Sequence, residues 1–147
     1  MKMQRSGRAS PILIVVVAFV VGLLVMVLTV GESPTSVASR FMAALAEGDA
    51  EALTDLSYLE DVPREEMLAK WEYTTGVVAP HFPFAYEIKG SSKPSDDKAI
   101  VWMMYTVNAG MSASYPARYE LELHETDDGW KVDVFAISRT MFPGLPR

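Results

Sequence analysis

The chain has 147 residues, with 13 Lys and Arg, 19 Asp and Glu, a net charge of −6, and no cysteine. Without cysteine there can be no disulfide, thiolate metal centre or lipid-modified cysteine. The acidic balance argues against nucleic acid as a partner, because a phosphate backbone would repel it.

The charge is unevenly placed. Lys2, Arg5 and Arg8 precede an uncharged run, Ile12 to Val30, and every acid lies after it. Its 19 residues, at a rise of roughly 1.5 Å each, match a hydrocarbon layer of roughly 30 Å. Fifteen of them are Leu, Ile, Val or Phe, which favours insertion by roughly 5 to 9 kcal/mol. The run therefore reads as a transmembrane helix over 11–30 that binds the lipid bilayer through 12–30. The short basic segment 1–10 lies on the cytoplasmic side, and the rest of the chain is outside the cell membrane. An uncleaved single-pass signal-anchor fits the run better than a cleaved signal peptide, whose apolar core is usually shorter.

Beyond the anchor, 31–137 is one domain's worth of chain, followed by a Pro- and Gly-containing tail, 138–147. Removing the three N-terminal basic residues leaves 10 basic against 19 acidic side chains, a net charge of −9. Ser33 and Pro34 have the order of an N-cap and first helical residue. Val37, Phe41, Ala44 and Leu45 then form one apolar helix face, which Gly48 terminates. Asp49 caps a second helix over AEALTDLSYL. A third is expected from Asp61 through Met67, Leu68 and Trp71 to about Thr75, with Gly76 ending it.

From Phe82 the period changes to two. Phe82, Phe84, Tyr86 and Ile88 alternate with polar or small residues as a half-buried strand, and Gly90 to Lys98 reads as a loop. Ala99 to Asn108 is apolar on both faces, the pattern of a central strand. Tyr115 to His124 alternates cleanly. Asp127-Asp128-Gly129 predicts a hairpin turn, with Trp130 to Ile137 as the last strand. The fold class is thus α+β: an N-terminal transmembrane helix, then about three helices on a curved four-stranded antiparallel sheet.

The opening SPTSVASRFMAALAEGDAEAL and the closing DDGWKVDVFAI, with the order of elements between them, resemble the nuclear transport factor 2-like superfamily of cystatin-like cones over about 105 residues. The resemblance implies a sheet wrapped around a long first helix. That superfamily holds isomerases, dehydratases, epoxide hydrolases and domains without chemistry, so the resemblance implies a cone and no particular reaction. Among its membrane-anchored members are periplasmic scaffold subunits of type IV secretion systems.

Enzymes of this kind place a carboxylate, His or Tyr in the cone. Asp133 is the strongest candidate base, since it shares a strand face with Phe135 and Ile137, and a desolvated carboxylate there would abstract a proton. The opposite face, Trp130, Val132, Val134 and Ala136, is the more apolar, and it sets Asp133 outside as a surface carboxylate. His124 alternates with Glu120 and Glu122 on a polar face. His81 lies in the connection from helices to sheet, the second candidate base. Two histidines, no cysteine and no metal-binding spacing imply no metal and no cofactor.

Trp71, Tyr86, Trp102, Tyr105 and Tyr119 fall on or beside the sheet, where they fill a core or line an apolar ligand site. Trp102 and Met104 share one face of the central strand, and Met103 and Tyr105 the other. One face must look away from the helices, and uncovered it would be a partner surface. The preferred expectation is a non-catalytic extracytoplasmic interaction or scaffold domain, pairing through that face as a homodimer or with another envelope protein. The alternatives are a small apolar-ligand binding cone and an isomerase- or dehydratase-like enzyme using Asp133 or His81.

Overall fold

A computed structural model describes residues 15–21 and 31–147. The expected membrane helix therefore falls largely outside the described residues. Within it, 15–21 form helix α1 with exposed side chains. Among the described residues no helix is long and apolar enough to cross a membrane. The chain divides into two units between Gly31 and Glu32, and the remaining helices and the sheet all belong to the second, Glu32–Arg147.

Helix α2, Pro34–Glu47, begins where Ser33 turns its hydroxyl onto the Ser36 amide at 3.1 Å. It ends at Gly48, whose φ of 75° a side chain would strain. Val37, Ala38, Phe41, Met42 and Leu45 are all at most 2% exposed, so this helix is the axis of the core. Asp49 accepts from the Ala52 amide to start α3, Ala50–Leu56. That helix stops three residues short of the expected Leu59. Ser57 forms a parallel bridge to Val132, and the Tyr58 amide donates to the Val132 carbonyl. The sheet edge thus claims residues that local propensity would leave helical.

Helix α4 runs over Arg64–Tyr73, and Gly76 does not end it. The chain continues as a π turn, Thr74–Val78, and a 3-10 turn, Ala79–His81. Thr74 and Thr75 donate their hydroxyls to the carbonyls of Lys70 and Trp71 one turn back, where they compete with the backbone amides as α4 widens into the π turn.

The sheet is antiparallel in the order β1-β2-β3-β4: Phe84–Ser95, Lys98–Val107, Tyr115–Thr126 and Gly129–Val132. Two expectations from the sequence fail in it. Residues Gly90 to Ser95 are not a loop but the second half of β1, paired to β2 through Ser91↔Val101 and Ser92↔Ile100 with register shifts on either side. Their polarity suits an edge strand whose side chains water reaches. The last strand stops at Val132, because the Asp133 carboxylate accepts from the amides of Phe135 and Ala136 and folds Val134–Ala136 into a 3-10 turn. The alternation expected through Ile137 is lost: Val134 and Ile137 are buried, whereas Phe135 and Ala136 are exposed.

The tail is part of the core. Met141 and Phe142 are 1% exposed and Leu145 is 7%. Tyr119 donates its hydroxyl to the Thr140 carbonyl at 3.0 Å. The Arg147 guanidinium donates to the carbonyls of Val134, Phe135 and Ile137 at 2.9 to 3.3 Å, and the Thr74 hydroxyl shares its proton between the Lys70 and Gly144 carbonyls.

Candidate functional site

The two faces of the sheet have different contents. Register places Ile88, Met103 and Tyr119 in one row of the inner face and Tyr86, Tyr105 and Ala117 in the next. Met103, Tyr105, Val101, Leu121 and Leu123 are at most 1% exposed. Tyr105 stacks on Phe84 at 5.0 Å and meets the edge of Tyr119 at 5.6 Å. Phe142 turns its own edge to Phe84 at 5.8 Å. Trp71 is fully buried, edge-on to Phe41, with its indole N–H donated to the Ser57 hydroxyl at 3.0 Å. Of the aromatic residues named from the sequence, Trp71 and Tyr105 are therefore core, and Tyr86 and Tyr119 are half-buried against it. Burial pushes the Tyr105 phenol well above the usual tyrosine range, with a smaller contribution from Tyr119.

Trp102 and Met104 take the outer face, as the central-strand pattern requires once Met103 and Tyr105 point inward. With Ile100 they make a half-buried apolar stripe. The indole of Trp102 lies flat on β1 at Gly90, where an added Cβ would come within 2.4 Å of the ring. Only a residue without a side chain allows this contact. The Arg118 guanidinium covers the ring at 5.4 Å and donates to Glu120 at 2.9 Å. Glu87 opposite Met104 and Glu122 opposite Ile100 complete a charged rim of both signs.

At the far end of the same face stands a polar cluster. His124 Nε2 is 3.2 Å from Asp133 Oδ2 and 3.4 Å from Glu122 Oε1. The imidazole stacks on the Tyr58 ring, centroids 4.4 Å apart and planes 16° apart. Side-chain exposures of 17% for His124 and 22% for Asp133 make both more enclosed than the surface residues the sequence suggested. Lys98 donates to Glu122 at 3.1 Å, and this hydrogen bond raises its pKa above the usual lysine value. Beside Asp133 a surface cavity of about 290 Å³ opens, lined by Tyr58, Glu60, Asp61, Val62 and Phe135.

Neither candidate base faces the cone. Asp133 looks outward, spending one oxygen on the turn after β4 and the other on His124, and His81 is exposed at the end of the 3-10 turn. The structure joins Asp133 to His124 and Glu122, a grouping that sequence spacing did not suggest. Its signal was present: residues 122 and 124 share a face at a separation of two, and a two-residue hairpin returns the chain alongside them.

No sequence-family description matches this chain, and no curated protein does. Solved structures do. A domain of unknown function with a cystatin-like fold from Nostoc punctiforme is 13% identical, with a TM-score of 0.52 over 66% of this chain and 68% of that one. The fold is cystatin-like. A putative calcium/calmodulin-dependent protein kinase type II association domain from Thiobacillus denitrificans is similar at 16% identity and a TM-score of 0.52, covering 70% of this chain and 91% of that chain. A SEC-C motif containing protein from Rhodopseudomonas palustris is similar at 14% identity and a TM-score of 0.50, covering 69% and 75%. At these identities the likeness is one of fold, and it agrees with the cone that the resemblance implied.

Proposed function

We propose that this chain is a membrane-tethered extracytoplasmic domain that acts by binding rather than by catalysis, and that it pairs with a second copy through the outer face of its sheet. The observation that carries this reading is the filled cone. Its interior is taken up by Phe41, Trp71, Met103, Tyr105 and the tail residue Phe142, each at most 1% exposed. Side chains packed this closely in the cone support a surface role over an interior ligand site. Asp133 and His81, the two candidate bases, both lie outside the cone, which supports binding over proton abstraction.

The stripe Ile100-Trp102-Met104 supports the choice of surface. Apolar side chains on a central strand that remain partly open to water, rimmed by charge, have the make-up of a small interface core. Because the rim carries Arg118 as well as Glu87, Glu120 and Glu122, it can complement another copy of itself. The Ile12 to Val30 run supports the tether, and with only Gly31 and Glu32 between it and the Ser33 cap, the domain would work close to the membrane surface.

The test is the oligomeric state of the full chain in detergent, measured by light scattering and crosslinking. Wild type should dimerise, and Trp102→Glu should be monomeric while keeping the circular dichroism spectrum of the folded domain. A strictly monomeric wild type, or a dimer indifferent to Trp102→Glu and Met104→Glu, would sink the proposal.

A further inference from the structure

We infer that Glu122, His124 and Asp133 form a binding site for one divalent transition-metal ion of the zinc class. Their donor atoms, one from each residue, lie within 4.8 Å of one another. The two edges that meet at the imidazole have the lengths found in a coordination polyhedron. Nitrogen and oxygen ligands held about 2.0 to 2.2 Å from zinc lie about 3.0 Å apart at neighbouring octahedral corners and about 3.4 Å apart at tetrahedral ones. The imidazole Nε2 stands 3.2 Å from one carboxylate oxygen and 3.4 Å from the other. A single nitrogen thus faces two carboxylate oxygens at the edge lengths an ion needs.

Two of the ligands, Asp133 and His124, are also held in place by contacts that do not use the donor atoms. Asp133 Oδ1 is committed to the amides of Phe135 and Ala136 at 3.1 and 3.2 Å, which turns Oδ2 towards His124. Tyr58 fixes the plane of the imidazole by stacking, and Tyr58 is itself pinned by its amide, which donates a hydrogen bond to the Val132 carbonyl at 2.8 Å. His124 and Glu122 are on β3, and Asp133 is placed by its amide, which donates to the Glu122 carbonyl at 2.8 Å. Such support is what orients metal ligands. One imidazole with two carboxylates, leaving a fourth position for water, suits zinc; magnesium and calcium prefer all-oxygen sites of higher coordination.

Lys98 is the competitor. Its ammonium, 3.1 Å from Glu122 Oε1, occupies the charge that an ion would take, and with 45% side-chain exposure it is free to swing away. Removing the Lys98 charge should therefore tighten metal binding.

The experiment is equilibrium dialysis of the full chain in detergent against zinc chloride, with magnesium chloride in parallel. One zinc ion per chain and no comparable magnesium binding are expected. Glu122→Gln, whose side chain is exposed enough to leave the fold alone, and His124→Ala should each weaken zinc binding at least tenfold. Lys98→Met should strengthen it, and His81→Ala should change nothing. Absence of zinc binding, binding that survives both Glu122→Gln and His124→Ala, or binding lost with His81→Ala would overturn the assignment. Should His124→Ala fail to fold by circular dichroism, the result with Glu122→Gln decides.

Discussion

Replacing Phe142 with alanine tests whether the tail belongs to the domain's core. The ring is 1% exposed and lies edge-on to Phe84 at 5.8 Å and to Phe82 at 6.5 Å. Deleting a buried Phe side chain costs about 3 to 5 kcal/mol, the lost transfer energy plus the cavity left behind. The domain after Gly31 has about 116 residues, so at about 2.1 cal/mol/K per residue its unfolding entropy is about 0.24 kcal/mol/K. The melting temperature should therefore fall by about 12 to 20 °C. Thermal unfolding of the full chain in detergent, followed by near-ultraviolet circular dichroism, measures this, with exposed Arg139→Ala as a control that should not move. A fall of under about 4 °C for Phe142→Ala, equivalent to about 1 kcal/mol, would show that the tail lies on the domain without stabilising it and would remove the case for a filled cone.

Ser57→Ala should also destabilise, by about 1 to 3 kcal/mol, because the hydroxyl accepts the buried Trp71 indole N–H at 3.0 Å and donates to the Leu53 carbonyl at 2.6 Å; an unchanged urea midpoint would contradict this. Tyr105 sets an alkaline limit. Its pKa is raised on folding by burial, so its contribution to stability is fully present below the unfolded tyrosine value of about 10 and is lost as the pH rises through the higher folded value. Stability should fall with pH above about 10 more steeply in wild type than in Tyr105→Phe, and parallel pH profiles for the two proteins would refute the assignment.

Much of the fold was legible because local signals and packing agree. Ser33-Pro34, Gly48 and Asp49 do the capping that their chemistry suggests, and the two-faced apolar pattern of Ala99 to Asn108 marks β2 as a strand with neighbours on both sides. The errors fall where a distant partner outweighs a local preference. Gly76 sits inside the π turn that continues α4 instead of ending it. Gly90 to Ser95, polar enough to read as a loop, is a strand because β2 supplies a hydrogen-bonding edge for it. Gly90 also has a purpose no local pattern could show, since its missing side chain makes the bed for Trp102.

The site was harder to read for a related reason. Treating Trp130 to Ile137 as an uninterrupted strand makes Asp133 one of an alternating series, to be assigned either to the core or to water. Its real position depends on its own side chain, which accepts two amides and ends the strand at itself. That capping bond turns the second carboxylate oxygen along the sheet towards His124, and the short hairpin at Asp127-Asp128 brings β4 back beside β3 so that Glu122, His124 and Asp133 meet. Three residues that look like ordinary surface polarity when taken singly thus become one site through a turn that one of them creates. Metal affinity should accordingly depend on the fold of the β3-β4 hairpin and not on the three side chains alone. Lengthening that turn by inserting glycines between Asp127 and Asp128 should weaken zinc binding while leaving all three ligands in the chain, and undiminished binding in that variant would mean the ion is held elsewhere.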